Sequence, residues 1–419
     1  MLKVFHTADW HLGQSLFGFD RDEEHRKFLD WLLEQLSSHR PDALVIAGDI
    51  FDSVNPSSVA QKRYYQFLAE SRAALPELQI IVTAGNHDAG SRLEAPSDLL
   101  ESLKIHVVGT VQRDQAGEIR IDRFLIPVSP KEDRMEAIVM AVPFLRPSDV
   151  PVMSDAADPY LDGIRELYRR VTAAALEIRS ARNPNAALIA MGHCHLHGGE
   201  ESRQSERQIV IGGSESIGVD VFAPEIAYVA LGHLHRAQQF DCGRVRYSGS
   251  PIPLSFAESG YRHAVRILEF DQGVLQRSED LPIPRFVELI RLPETGSLPL
   301  TELLSLMEQL GVADNESNTS THPFLELRVL EDQPDPTKRQ KIEQALIGRA
   351  VRLAAIRVER SDRQGDIVFA GLPNDLADLK SISPEVVLKS VHREKYSTEP
   401  EDSVMKVFRE ILLNEAGTP

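Results

Sequence analysis

Leu44-Val45-Ile46-Ala47-Gly48-Asp49 is a short apolar run that stops on a glycine and an acid. A β-rich run bounded in this way is typical of a buried strand that ends in a tight turn. The pattern recurs along the chain, and each run ends on an acid, an amide or a histidine. Such strands predict one sheet whose edge collects Asp, Asn and His side chains. The other stretches are Val4–His11, Ile80–Asp88, Leu188–His193 and Val229–His235.

Seven side chains at these strand ends are candidate metal ligands. Carboxylate and amide oxygens together with imidazole nitrogens suit a pair of divalent cations. Two such ions, about 3.5–4 Å apart, clamp a phosphate and lower the pKa of a bound water toward about 7. Asp49 is the candidate bridge, because one carboxylate can hold two cations at once. The candidate ligands are Asp9, His11, Asp49, Asn86, His193, His233 and His235.

Two residues next to a candidate ligand have other predicted roles. His87 follows Asn86 directly, so it can reach a phosphate without being a ligand itself. We interpret His87 as the catalytic residue that stabilises the phosphoryl oxygens or protonates the leaving oxygen. Asp88 is expected to hold a histidine or a turn amide in place.

Other polar residues near these stretches receive structural interpretations. His195 and His197 are expected in a loop, although they follow His193 closely enough to remain alternative ligands. Cys194 is interpreted as a small buried thiol, because free cysteine often packs as a small hydrophobic residue. His6 lies inside the first predicted strand, and we interpret it as a core histidine whose ring nitrogens are satisfied there.

Composition excludes several classes of protein. The 419 residues predict two or three domains. Two cysteines imply no disulfide framework, and no apolar run is long enough to cross a bilayer. The N-terminus leads straight into the first predicted strand, so we expect a cytosolic protein without a signal peptide. With a net charge of −17, DNA would have to be bound through metals, a local basic patch or a partner.

The order of predicted elements divides the chain into three parts. The first part is 1–280, and its first stretch, roughly 1–110, alternates strands and helices, which favours a largely parallel sheet with ligands at the carboxyl ends of its strands. Residues 111–140 are predicted to contain a hairpin. The pattern restarts as a small α+β domain over 285–377, and residues 378–419 are predicted to be helical, the last helix carrying an apolar stripe. Helices are predicted at 22–38, 57–75, 158–181, 300–310 and 336–347, and further strands at 139–145, 286–292, 324–330 and 354–359.

The candidate ligands stand in motifs that resemble those of the calcineurin-like metallophosphoesterases. Residues 7–13, 47–52, 231–236 and 247–256 resemble more closely the branch of double-strand-break repair nucleases that includes the SbcD family. This resemblance implies an α/β fold, a β-sandwich flanked by helices, with a small α+β capping domain and C-terminal helices. The motifs are Asp9-x-His11, Gly48-Asp49, Gly85-Asn86-His87-Asp88, Gly192-His193 and Gly232-His233-x-His235.

The resemblance also implies an activity and its partners. Members of this branch use two Mn²⁺ ions to hydrolyse DNA, as 3'-5' exonucleases on duplex ends and as endonucleases on single strands and hairpins. They act in DNA repair, recombination and replication with a coiled-coil ATPase of the SbcC type. Residues 378–419 correspond to the helices that dock on the ATPase, and helices near 22–38 and 57–74 to a homodimer bundle. The expected location is the bacterial cytosol, at the nucleoid.

Two other functions are compatible with the motifs. One is a metallophosphoesterase of small nucleotides or phosphoproteins, against which the extra domain and the helical tail argue. The other is a non-enzymatic scaffold of a repair complex, which is disfavoured because no expected ligand is missing from the sequence. The ligands do not fix the metal, since the same donors also suit Fe or Zn.

Overall fold

The computed structural model describes residues 1–130, 134–153, 156–202, 216–313 and 319–360, together with a few positions between 388 and 408. The predicted C-terminal helices at 378–419 fall outside the described residues except for those few positions. The end of the predicted small domain, 361–377, lies wholly outside them.

Strands and α-helices are interspersed in the first half of the described chain, and a run of consecutive strands follows. The strands are β1 (Leu2–Thr7), β2 (Ser15–Leu16), β3 (Phe19–Asp20), β4 (Ala43–Ala47), β5 (Gln79–Thr83), β6 (Ile105–Val108), β7 (Leu125–Val128), β8 (Ala137–Ala141), β9 (Ala187–His193), β10 (Tyr228–Gly232), β11 (Gln238–Phe240), β12 (Val245–Tyr247), β13 (Ala264–Asp271), β14 (Val274–Pro282), β15 (Leu289–Leu292), β16 (Leu298–Pro299), β17 (Phe324–Leu330) and β18 (Arg352–Glu359). The α-helices are α1 (Asp22–His39), α2 (Ser58–Ala74), α3 (Gly90–Glu94), α4 (Ser97–Glu101), α5 (Pro159–Arg182), α6 (Leu300–Met307) and α7 (Lys338–Ala345).

Apart from the short β2–β3 hairpin, the strands up to Pro282 form two six-stranded sheets that pack face to face. The first sheet has the order β14-β13-β1-β4-β5-β6, and β1, β4, β5 and β6 run parallel. The second sheet has the order β11-β12-β10-β9-β8-β7, and β8, β9, β10 and β12 run parallel. The architecture is therefore the predicted sandwich flanked by helices.

The single sheet that we predicted from the strand ends is wrong. β1, β4 and β5 lie in the first sheet, whereas β9 and β10 lie in the second. The sequence shows only that each strand is apolar on both faces, which a sandwich satisfies as well as one covered sheet does. The strand ends of the two sheets still meet, because Gly232 at the end of β10 abuts Ala47 at the end of β4.

Strand β4 shows how both faces of the first sheet are filled. All of its residues are buried, and they alternate between two cores. Val45 and Ala47 belong to the core between the sheets, while Leu44 and Ile46 belong to the core beneath α1 and α2. A shift of one residue would exchange the two faces. The register of β4, and with it the position of Asp49, is therefore strongly determined.

The long helices begin close to the predicted residues. The Ser57 hydroxyl accepts a hydrogen bond from the Ala60 backbone N–H at 3.2 Å and caps α2. Asp158 caps α5 in the same way. α1 and α2 are joined by Arg63, whose guanidinium donates to both carboxylate oxygens of Asp22 at 2.7 and 2.9 Å. Within the described residues, no helix has the length and hydropathy that a membrane span requires.

The small domain contains the predicted elements, which differ at their ends, and one further short strand, β16, that was not predicted. All its described strand pairings, β15–β17, β16–β17 and β17–β18, are parallel, and α6 and α7 connect β16 to β17 and β17 to β18. A separate apolar cluster joins the small domain to the sandwich and consists of Leu16, Phe256, Val287, Leu289 and Phe324.

In the sandwich, the strand predicted at 139–145 is β8, which is shorter than expected and ends at Ala141. Pro143 follows shortly after, and proline cannot donate a hydrogen bond to a neighbouring strand.

Candidate metal centre

The predicted ligands lie at or just after the ends of β1, β4, β5, β9 and β10. Backbone hydrogen bonds join the first two turns: among them, the Asp9 N–H donates to the Gly48 carbonyl at 3.1 Å, and the His11 N–H donates to the Asp49 carbonyl at 3.0 Å. Asp9, His11 and Asp49 have φ of 54, 46 and 49°. Non-glycine residues rarely adopt this conformation, and such strain is concentrated at functional sites.

Because Gly48 and Gly85 have no side chain, the candidate ligands have room beside them. Gly48 has a φ of 85°, and a Cβ there would collide with the His193 ring. A Cβ on Gly85 would collide with the backbone nitrogen and the carboxylate of Asp49. Both positions therefore exclude side chains, and the Gly-Asp and Gly-Asn pairs of the motifs have a steric cause.

Gly48→Ala is expected to destabilise the fold far more than Gly117→Ala. Gly117 has nearly the same φ, 84°, but open space around its Cα, so it is the matched control. The left-handed backbone costs an alanine about 1–2 kcal/mol at either position. Crowding against His193 adds about 1–3 kcal/mol at Gly48 alone. Urea unfolding of both variants measures the difference, and equal losses would contradict this account.

Asp49 stands between two groups of candidate ligands. His11, Asp49 and His87 form one, the His11 triad; Asp9, Asp49 and His193 form the other, the Asp9 triad. In each triad the ligand atoms lie within 4.8 Å of one another, and all the residues are buried. Asp49 Oδ2 lies 3.5 Å from His11 Nε2 and 3.3 Å from His193 Nε2. The carboxylate that the sequence marked as the candidate bridge is therefore the member that the triads share.

Charge interactions within the Asp9 triad are strong. Burial opposes ionisation of Asp49, but the imidazoles of His193 and His11 outweigh it and hold the pKa of that carboxyl well below its usual range. Burial lowers the pKa of His193, but the attraction of Asp49 and Asp9 for the charged ring is stronger and raises the pKa above its usual value, to about 9. Burial raises the pKa of Asp9 to about 6 against the pull of His193. The buried Asp9 and Asp49 carboxyl groups therefore depend on nearby positive charge to be ionised.

Asn86 brings two imidazoles together on the β5 side of the site. Its Oδ1 lies 2.9 Å from His193 Nε2 and 3.2 Å from His233 Nδ1. His193 Nδ1 lies 3.0 Å from the Ala47 carbonyl oxygen, which can only accept, so Nδ1 carries the proton. In a neutral His193, Nε2 then presents its lone pair beside the Asn86 oxygen. Facing acceptor atoms of this kind suit a cation between them.

His87 and His235 flank His11. The ring centroid of His11 lies 4.7 Å from that of His87 and 5.0 Å from that of His235. His87 Nδ1 donates to the Asp52 carbonyl at 2.8 Å, and the His87 backbone N–H donates to Asp49 Oδ1 at 2.8 Å. The catalytic candidate is thus fixed beside the bridging candidate.

Asp88 holds the turns together. Its carboxylate accepts from the backbone N–H groups of Ile50, Phe51 and Gly85 at 3.1, 3.0 and 2.9 Å. Burial, with a further contribution from the Asp49 charge, raises its pKa to about 6 against these hydrogen bonds. The side chain therefore ties the turn after β4 to the turn after β5.

Among the described residues, several buried polar atoms at the site have no partner in hydrogen-bond geometry. They are Asp9 Oδ2 and both ring nitrogens of His11. A buried polar atom left unsatisfied costs about 1–3 kcal/mol. Divalent cations would coordinate these atoms, and the mixture of oxygen and nitrogen donors around them is of the type that such ions accept. The residues present therefore fit a metal centre.

Comparison with known proteins agrees with this geometry. The family model described as calcineurin-like phosphoesterase matches residues 2–237. A relative from Rhodobacter capsulatus, named as the SbcD component of nuclease SbcCD, is 42% identical over 362 residues, which are 86% of this chain and 88% of the relative. The chain belongs to the SbcD family of calcineurin-like phosphoesterases. Both the family and the sandwich fold predicted from the motifs are thereby confirmed.

Other matches extend along the SbcD-family chain. A relative of the same name from Escherichia coli K12 is 30% identical over 427 residues, 99% of both chains. The family model described as the type 5 capsule protein repressor C-terminal domain matches residues 285–396. Among solved structures, a dimetal phosphatase from Danio rerio matches at 13% identity and a TM-score of 0.39, covering 67% of this chain and 98% of its own.

Two carboxylates of this SbcD-family site were missed by the sequence reasoning. Asp52 Oδ1 lies 3.3 Å from His11 Nδ1. Glu258 Oε1 lies 2.9 Å from His235 Nδ1, and Glu258 is fully buried. Asp52 stands in the same turn region after β4, three residues from Asp49, so its position was a usable signal. Glu258 follows no strand end, and nothing in the sequence marked it.

The residues that follow His193 do not join its triad. His195 Nδ1 pairs with Glu201 Oε1 at 3.1 Å, and His197 is exposed. Cys194 is half-buried, and burial raises the pKa of its thiol to about 12. His6 is fully buried, with Nδ1 3.0 Å from the Tyr228 hydroxyl. Of His193, His195 and His197, only His193 belongs to the Asp9 triad among the described residues.

Proposed function

We propose that this chain is the metal-dependent nuclease component of an SbcCD-type complex and hydrolyses DNA phosphodiesters at a dinuclear centre. The observation that carries the proposal is the pair of triads that share Asp49. The family of the chain also supports the proposal, because its relatives are named as components of nuclease SbcCD. The reaction class is hydrolysis of an ester bond, with 3'-5' exonuclease action on duplex ends and endonuclease action on single strands and hairpins.

The seven predicted ligands would hold two ions, with Asp49 between them. His11 and His235 lie on one side, and Asp9, Asn86 and His193 on the other, with His233 beside Asn86. When bound, two divalent cations neutralise charge on a phosphoryl group and lower the pKa of a water molecule. We propose Mn²⁺ as the ion in both positions, on the resemblance of the motifs to those of Mn²⁺-dependent relatives.

The side chains around the ions would orient and stabilise the phosphate. His87 donates through Nδ1 to a carbonyl, so Nε2 is the ring atom that we assign to the substrate. In the cationic form Nε2 donates to a phosphoryl oxygen or gives its proton to the leaving oxygen. Asp88 would keep the turn amides in place while this happens.

Partners follow from the net charge and the domain plan. At −17 the chain lacks the overall field to attract DNA, so we propose that an SbcC-type coiled-coil ATPase supplies part of the DNA affinity. Residues 378–419 would dock on that ATPase, 1–280 form the nuclease domain, and 285–377 form the DNA-capping domain. Two copies would meet through α1 and α2, and the complex would act at the nucleoid in the cytosol.

A cleavage assay tests the proposed function. The purified chain is incubated with blunt duplex and hairpin DNA in Mn²⁺ or Mg²⁺, with and without the ATPase. We expect cleavage that requires added metal, disappears with chelator and increases with the ATPase. Absence of cleavage with Mn²⁺ and the ATPase would contradict the proposal. Hydrolysis of small nucleotides without cleavage of DNA would favour the smaller-substrate phosphoesterase instead.

A further inference from the structure

Glu258 is a fully buried carboxylate outside the motifs, and both of its oxygens are engaged. Oε1 lies 2.9 Å from His235 Nδ1, and Oε2 accepts from the Leu254 backbone N–H at 2.7 Å. A carboxylate can only accept, so the proton of a neutral His235 resides on Nδ1. His235 then presents Nε2 on the side of the ring opposite Glu258. The tautomer of one candidate ligand is therefore set by a residue that is not itself a ligand.

The short helical turn that carries Glu258 is held by two arginines of the small domain. Arg291, on β15, donates to the Phe256 carbonyl at 3.0 Å, and Arg285 donates to the Ser259 carbonyl at 2.6 Å. Glu326, which is buried on β17, accepts from Arg291 Nε at 2.8 Å. The Arg291 side chain is thus held by Glu326 in the small domain and donates a hydrogen bond to the turn that carries Glu258.

The sandwich holds the same segment from its other side. Arg21 donates to the Pro253 carbonyl at 2.8 Å, and Gln14 donates to the Leu254 carbonyl at 3.2 Å. Phe256 is buried in the apolar cluster that joins the small domain to the sandwich. The segment 253–259 therefore lies between the two domains and is fixed by both.

We propose that Glu258 is a positioning residue for His235 and that the small domain sets its position through Arg291. The inference rests on the proposed function, because it takes His235 to be a metal ligand. Carboxylates that orient a ligating histidine commonly change metal affinity by 10–100-fold when they are replaced. The small domain would then contribute to metal binding without contacting either ion.

Mn²⁺ titration of the metal-free full-length chain by calorimetry tests the inference. Glu258→Gln keeps the size of the side chain but leaves one acceptor for two donors, so it breaks either the His235 or the Leu254 contact. We expect it to weaken one of two Mn²⁺ sites by about 10-fold and to leave the other site unchanged. Arg291→Gln is expected to weaken the same site by a smaller factor. The double variant is expected to be no weaker than Glu258→Gln, since coupled residues are not additive.

Arg339→Gln is the matched control, because Arg339 is an exposed arginine of the small domain that pairs only with Glu343 among the contacts described. Thermal unfolding without metal separates a loss of fold from a loss of affinity. If Glu258→Gln does not fold, the Arg291→Gln titration decides. Unchanged Mn²⁺ affinity in a folded Glu258→Gln or Arg291→Gln chain would overturn the inference. A wild-type chain that binds no Mn²⁺ or cleaves no DNA would instead refute the proposed function.

Discussion

Asp49→Ala is expected to remove both metal ions together and to reduce DNA cleavage by at least about 10³-fold. Asp49 is the residue that the His11 triad and the Asp9 triad have in common. Loss of two cations removes several kcal/mol of charge stabilisation, and each 1.36 kcal/mol is a factor of ten in rate. Replacing a member of only one triad should leave the other triad able to retain an ion.

The arrangement around Asp49 explains why both ions should be lost. Its Oδ2 lies within 3.5 Å of a ring nitrogen of His11 and of His193, one from each triad. Its Oδ1 accepts the His87 backbone N–H at 2.8 Å. Without the carboxylate, two cations would face each other with no negative charge between them. Their repulsion in a buried site would be weakly screened.

Metal analysis by mass spectrometry, alongside a cleavage assay on a labelled hairpin, checks this prediction. Asp49→Asn keeps the side-chain volume and separates the loss of charge from the loss of packing. Asp52→Asn is the comparison, because Asp52 Oδ1 lies 3.3 Å from His11 Nδ1, in the His11 triad. It should leave the ion of the Asp9 triad in place. Full occupancy of both ions in Asp49→Ala would refute the bridging role.

Much of this site could be predicted because each ligand lies at or just after the end of a strand that is buried on both faces. In such strands the register is determined by packing, as the alternation of Leu44, Val45 and Ile46 between two cores illustrates. Once the register is fixed, the residues that follow the strand must lie at the sheet edge. Position along the chain therefore translated into position in space for Asp49 and for the other strand ends.

The rest depends on contacts that a strand pattern does not encode. Full burial of β9 and β10 does not say whether they continue the first sheet or face it, and they face it. Glu258 reaches His235 from a short helical turn 23 residues further along, placed there by contacts with another domain. The positive φ at Asp9 and His11 is likewise imposed by the hydrogen bonds between turns.

His87→Ala is expected to lower cleavage by roughly 10²–10⁴-fold while the metal content and the fold are retained. The His87 ring is nearly buried, at 7% exposure, and its Nδ1 is committed to the Asp52 carbonyl. This contact directs Nε2 away from that carbonyl, where a cationic ring can donate to a phosphoryl oxygen. If His87 serves the substrate and not the ions, removal of its ring costs rate alone.

Metal content and single-turnover cleavage, measured on the same preparation, separate the two possible roles of His87. His197→Ala is the control, because His197 is an exposed histidine outside both triads and should leave both measurements unchanged. Loss of one ion from His87→Ala would make His87 a ligand, since its ring nitrogen lies within 4.8 Å of the other ligand atoms of the His11 triad. Unchanged cleavage with both ions bound would reject the catalytic role. The His87 ring, although its centroid lies 4.7 Å from that of His11, would then contribute nothing that the reaction requires.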